Sequence, residues 1–299
     1  MIGGALLLDK PLGLSSNRAL QEARKLFGRM KAGHAGTLDP MASGLLMVLF
    51  GEATKFASLL LESPKEYIAV VRLGVRTSTG DAEGDVLERR MVGTSEKEFL
   101  QALAKFRGEI EQLPPMHSAI KRDGVPLYKL ARQGKTVERS LRRVEILQLD
   151  LLSFALPDAE IRIRCSKGTY IRTLAEDLGA TLGAGAHLAS LRRTASGRFR
   201  IEEACNLERL AALTPEERSA RLLPLAALLD GLPRAELDAA SEARLRSGQI
   251  VQINGLNDGL LGVYGPGGTV IGLGRAESGG VLKALRLTQA AEKHVKSRA

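Results

Sequence analysis

The chain has 299 residues, 44% of them apolar, with no Trp, two Cys, four His and a net charge of +9. That length and apolar content suffice for a sizeable core and suggest two domains, or one large and one small. Two cysteines, Cys165 and Cys205, leave room for at most one bridge, the four histidines are scattered without metal-ligand spacing, and no apolar run reaches the eighteen residues of a membrane span, so a cytoplasmic protein with no resident metal is expected.

The first segment, Met1–Asp9, is an apolar run too short for a signal peptide and reads as a buried strand. Pro11 and Gly13 turn the chain, and Ser15, Ser16 or Asn17 caps a helix that runs to about Phe27 and stops at Gly28. A loop crowded with Gly and Pro follows, Gly33 to Gly44, carrying one carboxylate, Asp39, ahead of Pro40. Glycines there allow close approach by another backbone or a ligand, so the acid is positioned rather than merely solvated. A turn-forming Asp-Pro pair is the plain alternative. Leu45–Phe50 reads as a buried strand, Ala53–Leu61 as a helix and Tyr67–Leu73 as another strand.

Thr77–Asp85 is a polar turn of negative character, and Glu96–Phe106 suits an amphipathic helix. From Pro114 the chain becomes basic and punctuated by Pro and Gly, an insertion over about residues 114–143 with a short helix predicted at Leu127–Arg132. Val144–Phe154 reads as a long strand. In Ala159–Ser166 apolar and polar residues alternate, which predicts a half-buried strand with a basic wet face. Tyr170–Leu182 reads as a helix. Strands and helices mix without a βαβ rhythm, so the expected class is α+β around a mixed, mostly antiparallel sheet. The texture changes near Leu229–Pro233. Beyond it come a helix (Ser241–Ser247) and strands at Leu260–Tyr264, Val270–Gly274 and Val281–Leu287, divided by Gly-rich turns, as in a small β-barrel. Two domains are therefore expected, 1–230 and 234–290, with a polar, frayed tail at Lys293–Ala299.

The charge is clustered. Residues 121–143 hold eight Lys/Arg against two acids, and residues 162–200 hold the same, which leaves the rest of the chain slightly negative. A localised positive field favours a polyanionic partner. No P-loop, G-x-S-x-G, H-E-x-x-H or strand-to-helix GxGxxG motif is present.

Six segments in one order carry more information than any one alone: GHAGTLDPMASGLL from Gly33, GEATK from Gly51, KEY from Lys65, LPPMHSAIK from Leu113, LYKLARQG from Leu127 and CSKGTYIRTLAEDLG from Cys165. In these the chain closely resembles the bacterial TruB family of tRNA pseudouridine synthases, over about residues 3–210, and its C-terminal part is similar to the PUA-like module of that family. The resemblance implies a pseudouridine-synthase catalytic domain that flips uridine 55 out of the T loop of tRNA and isomerises it to pseudouridine, with no cofactor, no metal and no membrane. It also implies an enzyme without an obligate protein partner; a monomer is expected.

By residue matching, Asp39 is the catalytic nucleophile, with three routes open to it: the ribose carbon, the pyrimidine ring, or a glycal route through deprotonation of the sugar. Tyr67 matches the tyrosine that stacks on the base, and Arg172 the arginine that pairs with the catalytic Asp. Tyr170 and Leu191 match positions lining the uridine pocket, His34 a histidine packed into the opened loop, and Lys55 a basic residue near the site that meets phosphate. Two rival classes remain. A tRNA-binding chaperone would use the basic windows without chemistry, and an RNA N-glycoside hydrolase would want a second carboxylate opposite Asp39, which none of these segments offers.

Overall fold

The apolar start of the chain forms β1 (Gly3–Lys10), and Ser15 then caps α1 (Ser16–Leu26), its side chain accepting from the Arg18 amide at 3.2 Å. Arg24 and Lys25 lie in the last turn, where the helix dipole favours cations, and Gly28, at φ +65°, ends the helix as expected. These features belong to a computed structural model that describes residues 3–289 apart from 119, 123, 132 and 254. Met1 and the tail Lys293–Ala299 therefore lie outside the described residues.

After α1 come β2 (Ala32–Ala35) and β3 (Ala42–Gly51), then a 3-10 turn over Glu52–Phe56, α2 (Ala57–Glu62) and β4 (Lys65–Leu73). The polar turn is flanked by a small ribbon, β5 (Val75–Thr77) with β6 (Val86–Arg89). Helix α3 (Glu96–Ala104) opens with a reciprocal capping box between Ser95 and Glu98 and leads to β7 (Gly108–Gln112). The basic insertion holds a two-residue hairpin, β8 (Lys121–Arg122) with β9 (Val125–Pro126), and the expected short helix, α4 (Leu127–Ala131); Arg132 is not among the described residues. Next are β10 (Arg142–Ala155), β11 (Asp158–Cys165), α5 (Ile171–Thr181), β12 (Ala186–Ser196), β13 (Phe199–Arg200) and β14 (Cys205–Asn206).

One large sheet organises these strands in the order β14-β1-β3-β12-β4-β11-β10-β7, with β2 added on β3 and β13 on β12. Only β1/β14 and β3/β12 pair in parallel; the rest pair antiparallel, so the sheet is mixed and mostly antiparallel. Alternation along β11 holds as expected, with Ala159, Ile161, Ile163 and Cys165 buried and Arg162 and Arg164 exposed. Five strands of this sheet escaped the sequence reading: β2, β7, β13, β14 and the central β12. In β12 the alternation is broken by register shifts against β4 between Leu188 and Ser190 and between Arg193 and Ala195, so no clean period of two is left to read.

Helices α3 and α5 cover one part of the sheet over a core containing Phe99, Leu103, Leu149, Ile161, Leu174 and Leu188. Helices α6 (Leu207–Ala212), α7 (Pro215–Ala220) and α8 (Leu225–Leu229) follow β14. The C-terminal part comprises β15 (Arg234–Glu236), α9 (Ala239–Arg246), β16 (Val251–Gln252), β17 (Gly259–Tyr264), β18 (Val270–Glu277) and β19 (Val281–Leu287). Its strands run β15-β17-β18-β19-β16; the end strands are not paired to each other, which makes the sheet a half-barrel rather than a closed barrel. Tyr264 and Leu273 of this sheet join Leu45, Leu49, Phe56 and Leu228 in one core, so the C-terminal part is packed on the large sheet.

Candidate active site

The Asp39 loop links β2 to β3 and is held in place from α1. The hydroxyl of Ser16, itself buried, accepts the Leu38 amide at 2.7 Å and donates to the Leu38 carbonyl at 2.9 Å. The Gly13 amide donates to the Pro40 carbonyl at 2.8 Å, and the Ala42 amide returns to the Asp39 carbonyl at 3.1 Å. An acid in a loop tied at both ends keeps its direction, as the sequence suggested. The glycines do what was expected of them. Gly44, at φ +101°, lets the Arg193 backbone come so close that a Cβ would overlap its carbonyl oxygen, and Gly36 faces the Arg193 guanidinium.

Asp39 opens into a cleft of about 490 Å³. Arg172, from the first turn of α5, reaches it with Nη2 3.1 Å from Oδ2. The arginine side chain is only 6% exposed and the aspartate 40%, so a buried cation aims a partly open carboxylate at the cleft. Arg172 is fixed from behind by the carbonyls of His117 at 2.7 Å and Thr79 at 3.3 Å and lies 3.7 Å from the carboxylate of Asp81. Burial pushes the Asp39 carboxyl above its ordinary range; Arg172 pulls it back, and Asp81 adds to the upward push.

Tyr67 on β4, Tyr170 at the start of α5 and Leu191 on β12 line the same cleft. Tyr170 is held by its backbone, whose amide donates to the Gln112 side-chain oxygen at 3.0 Å and whose carbonyl accepts from the Gln112 amide group at 3.3 Å. Five of the seven expected site residues, Asp39, Tyr67, Arg172, Tyr170 and Leu191, are thus brought together from four separate segments. The other two are not. His34 is half-buried on β2, opposite Val48, and does not line the cleft; its Nδ1 is buried without a hydrogen-bond partner, and burial together with the Arg193 charge lowers its pKa.

Lys55, expected near the site, is likewise absent from the cleft lining. It pairs with Glu52 at 2.8 Å and donates to the Leu287 carbonyl at 2.9 Å, so it ties the 3-10 turn to the C-terminal sheet. The basic windows also divide. In the second one, Arg172 and Arg193 are buried and line the cleft, the exposed Lys167 lines it as well, and Arg162 and Arg164 face outward.

Several residues were not anticipated. Asp81 and Glu83, from the polar turn after β5, line the cleft too, so further carboxylates do stand near Asp39. Asp81 is not a free acid: it accepts from the Thr79 hydroxyl at 2.5 Å and the Glu83 amide at 3.1 Å and faces Arg172. The negative character of Thr77–Asp85 was the available signal. Two lysines are buried beside the cleft. Lys10 donates to the carbonyls of Pro11 and Leu14 at 2.9 and 2.6 Å, and Lys65 to those of Leu60, Leu61 and Ser63 at 2.6–3.1 Å. Burial, aided by the Arg193 charge, brings both down to about 8. Among the described residues no three His, Cys, Asp or Glu side chains converge as a metal site would require. Both cysteines are buried and unpaired.

Comparison with known proteins places this cleft in a family context. Residues 24–171 match the family model described as TruB family pseudouridylate synthase, N-terminal domain; residues 172–231 match the tRNA pseudouridylate synthase B C-terminal domain, and residues 233–288 the C-terminal model of pseudouridine synthase II TruB. The chain is 54% identical to a tRNA pseudouridine synthase B of Burkholderia mallei over 293 residues, covering 96% of this chain and 97% of that protein. It is 51% identical to the one of Ralstonia nicotianae, covering 96% and 94%. Among solved structures it is similar to a chain of a Cbf5–Nop10–Gar1 complex, with a TM-score of 0.71, 27% identity and coverage of 93% of this chain and 79% of that one. It is also similar to a chain of an H/ACA RNP bound to a substrate RNA containing 2'-deoxyuridine, with a TM-score of 0.73, 25% identity and coverage of 97% and 86%.

Proposed function

Since this chain belongs to the TruB family of pseudouridylate synthases, we propose that its substrate site is the T arm of tRNA, at uridine 55, and that Asp39, Arg172 and Tyr67 carry the reaction. The activity itself is isomerisation of a tRNA uridine to pseudouridine with the base flipped out of its stack. The glycosidic C–N bond breaks and a C–C bond forms to the same sugar, with no net redox change or hydrolysis, so acid, base and nucleophile suffice.

The observation that carries the assignment is the Asp39–Arg172 pair at 3.1 Å, seated in a cleft whose walls hold three tyrosines, Tyr67, Tyr128 and Tyr170. Arg172 favours the ionised form of Asp39 against the pull of burial and aims it, and that is the form a nucleophile or base requires. Flipping a base out of its stack costs a few kcal/mol, and stacking on an aromatic ring returns about 1–3 kcal/mol, so Tyr67 has the right size to offset it. Leu191, on the central strand, closes the apolar side. The outward-facing cations of the basic insertion and of β11 supply phosphate contacts along the arm. The motif resemblance supports the T arm as the target, and we take the enzyme to act as a monomer.

The test is Asp39→Asn. This variant is expected to bind tRNA with wild-type affinity and to form no pseudouridine when T-arm RNA is mapped after incubation, while wild type modifies only the uridine at position 55. Turnover by a clean Asp39→Asn preparation, or modification elsewhere in the arm by wild type, would contradict the assignment.

A further inference from the structure

Arg193 is the largest side chain buried almost completely, at 1% exposure, and it lines the cleft. Its Nε donates to the Leu45 carbonyl at 2.7 Å and its Nη2 to the Gly36 carbonyl at 3.0 Å. Among the described residues no acid pairs with it. An arginine does not give up its proton, so a full positive charge sits inside the protein without a counter-ion. That arrangement is costly, and the fold is shaped around it: Gly36 faces its Nη1, and Gly44 admits its backbone.

The charge has a specific neighbour. In the β4/β12 pairing Arg193 is directly opposite Tyr67, inside the four residues Ser190–Arg193 that two register shifts bracket. Bulges of this kind re-aim side chains next to active sites. The two residues sit side by side across the strand pair and both line the cleft, which brings the guanidinium within reach of a hydrogen bond to the Tyr67 hydroxyl. A guanidinium can only donate, so the phenol oxygen is the acceptor in that bond, and the phenol's single proton must point elsewhere.

We infer that Arg193 is a positioning residue for Tyr67: it donates an N–H to the phenol oxygen and so turns the phenol's own proton toward the bound base. This rests on the assignment of Tyr67 to the reaction, made above. Contact with a tRNA phosphate is the wrong role for this arginine, because two of its donors are spent on carbonyls and it is shut off from solvent. The neighbouring Arg192 is the contrast: its side chain is 44% exposed and pairs with Asp9 at the surface. The field of Arg193 reaches past the cleft as well, since it contributes to the lowered pKa of Lys10, Lys65 and His34.

The experiment combines Arg193→Met, Arg193→Lys and Tyr67→Phe with the double variant Arg193→Met/Tyr67→Phe. It reads single-turnover pseudouridine formation, tRNA affinity and the 13C resonance of the Tyr67 Cζ atom, assigned by its loss in Tyr67→Phe. Arg193→Met is expected to shift that resonance and to slow the reaction about 10- to 100-fold, the span of one charge-assisted hydrogen bond, with tRNA affinity kept within about threefold. On the Tyr67→Phe background the further loss should be under about threefold, and Arg193→Lys should recover part of the rate. An unmoved resonance, an equal loss on both backgrounds, or a loss of affinity in place of rate overturns the inference. If Arg193→Met fails to fold, Arg193→Lys and Arg193→Gln carry the same comparison. Tyr67→Phe alone tests the role of the phenol hydroxyl: were it to react at the wild-type rate, the inference would fall, while the stacking role of the ring, which Phe keeps, would stand.

Discussion

Gly44→Ala probes the architecture of the cleft at its tightest point. Gly44 sits in β3 at φ +101° and pairs with Lys10 on one side and Arg193 on the other. A Cβ there would overlap the Arg193 carbonyl oxygen and stand 2.7 Å from its amide nitrogen, where ordinary contact begins near 3.4 Å. The atoms in the way are backbone of a central strand, so no side chain can swing aside. Two costs add: about 1–3 kcal/mol for overpacking and about 1–3 kcal/mol for a non-glycine residue held in left-handed space. At roughly 2–4 °C per kcal/mol, a total of about 2–6 kcal/mol corresponds to a fall in Tm of roughly 4–24 °C.

The strand segment forced away is the one bearing Leu191 and Arg193, so the reaction rate should fall together with stability. The control is Gly28→Ala, whose glycine also has positive φ, +65°, but whose Cβ would meet nothing within 4 Å; it bears the conformational cost alone, about 1–2 kcal/mol. Thermal unfolding followed by circular dichroism and single-turnover pseudouridine formation measure both effects. A Gly44→Ala protein that melts with Gly28→Ala and reacts at the wild-type rate would refute the claim that β3 and β12 need this glycine to meet.

Two further outcomes follow from the electrostatics. Burial raises the Asp39 pKa, and the reaction needs the ionised form, so the rate should fall as pH drops through a value above the ordinary carboxylate range. Arg172→Gln, which removes the largest opposing influence, should move that acid limb to still higher pH; a limb at the usual carboxylate position in both proteins would argue against an Asp39 pKa raised by its surroundings. The same raised pKa means that ionised Asp39 detracts from stability at neutral pH, and that this deficit is relieved as pH falls through the folded-state value. Arg172→Met strips the partner from both Asp39 and Asp81, and breaking such a buried cluster is expected to cost about 3–5 kcal/mol in a denaturant titration, with a far larger loss of rate than of tRNA affinity. Equal losses of rate and affinity would make Arg172 a phosphate contact instead.

Much of the site was legible because its signals are local. A cap among Ser15, Ser16 and Asn17, Gly28 as a stop, the Gly-rich loop around Asp39 and the apolar run of β3 each act within a few residues, and the structure keeps all of them, with Ser15 as the cap. The alternation of β11 was equally plain, since its register against β4 is unbroken. Strand β12 was hidden because two register shifts erase its period, and with it went the partnership of Arg193 and Tyr67. The adjacent arginines make the same point. Nothing in the order Leu191-Arg192-Arg193 says which cation meets water and which is buried.

The chain alone therefore determined many of the elements, the placed acid and the residue types from which a pseudouridine-forming cleft is built. The tertiary structure decided which charges face one another: Arg172 against both Asp39 and Asp81, Arg193 behind Tyr67, and Lys55 turned to the C-terminal sheet rather than the cleft. Turn chemistry and periodicity are set by neighbours along the chain. The environment of a charge is set by strands distant in sequence, whose pairing register and bulges assign each side chain to water or to the interior.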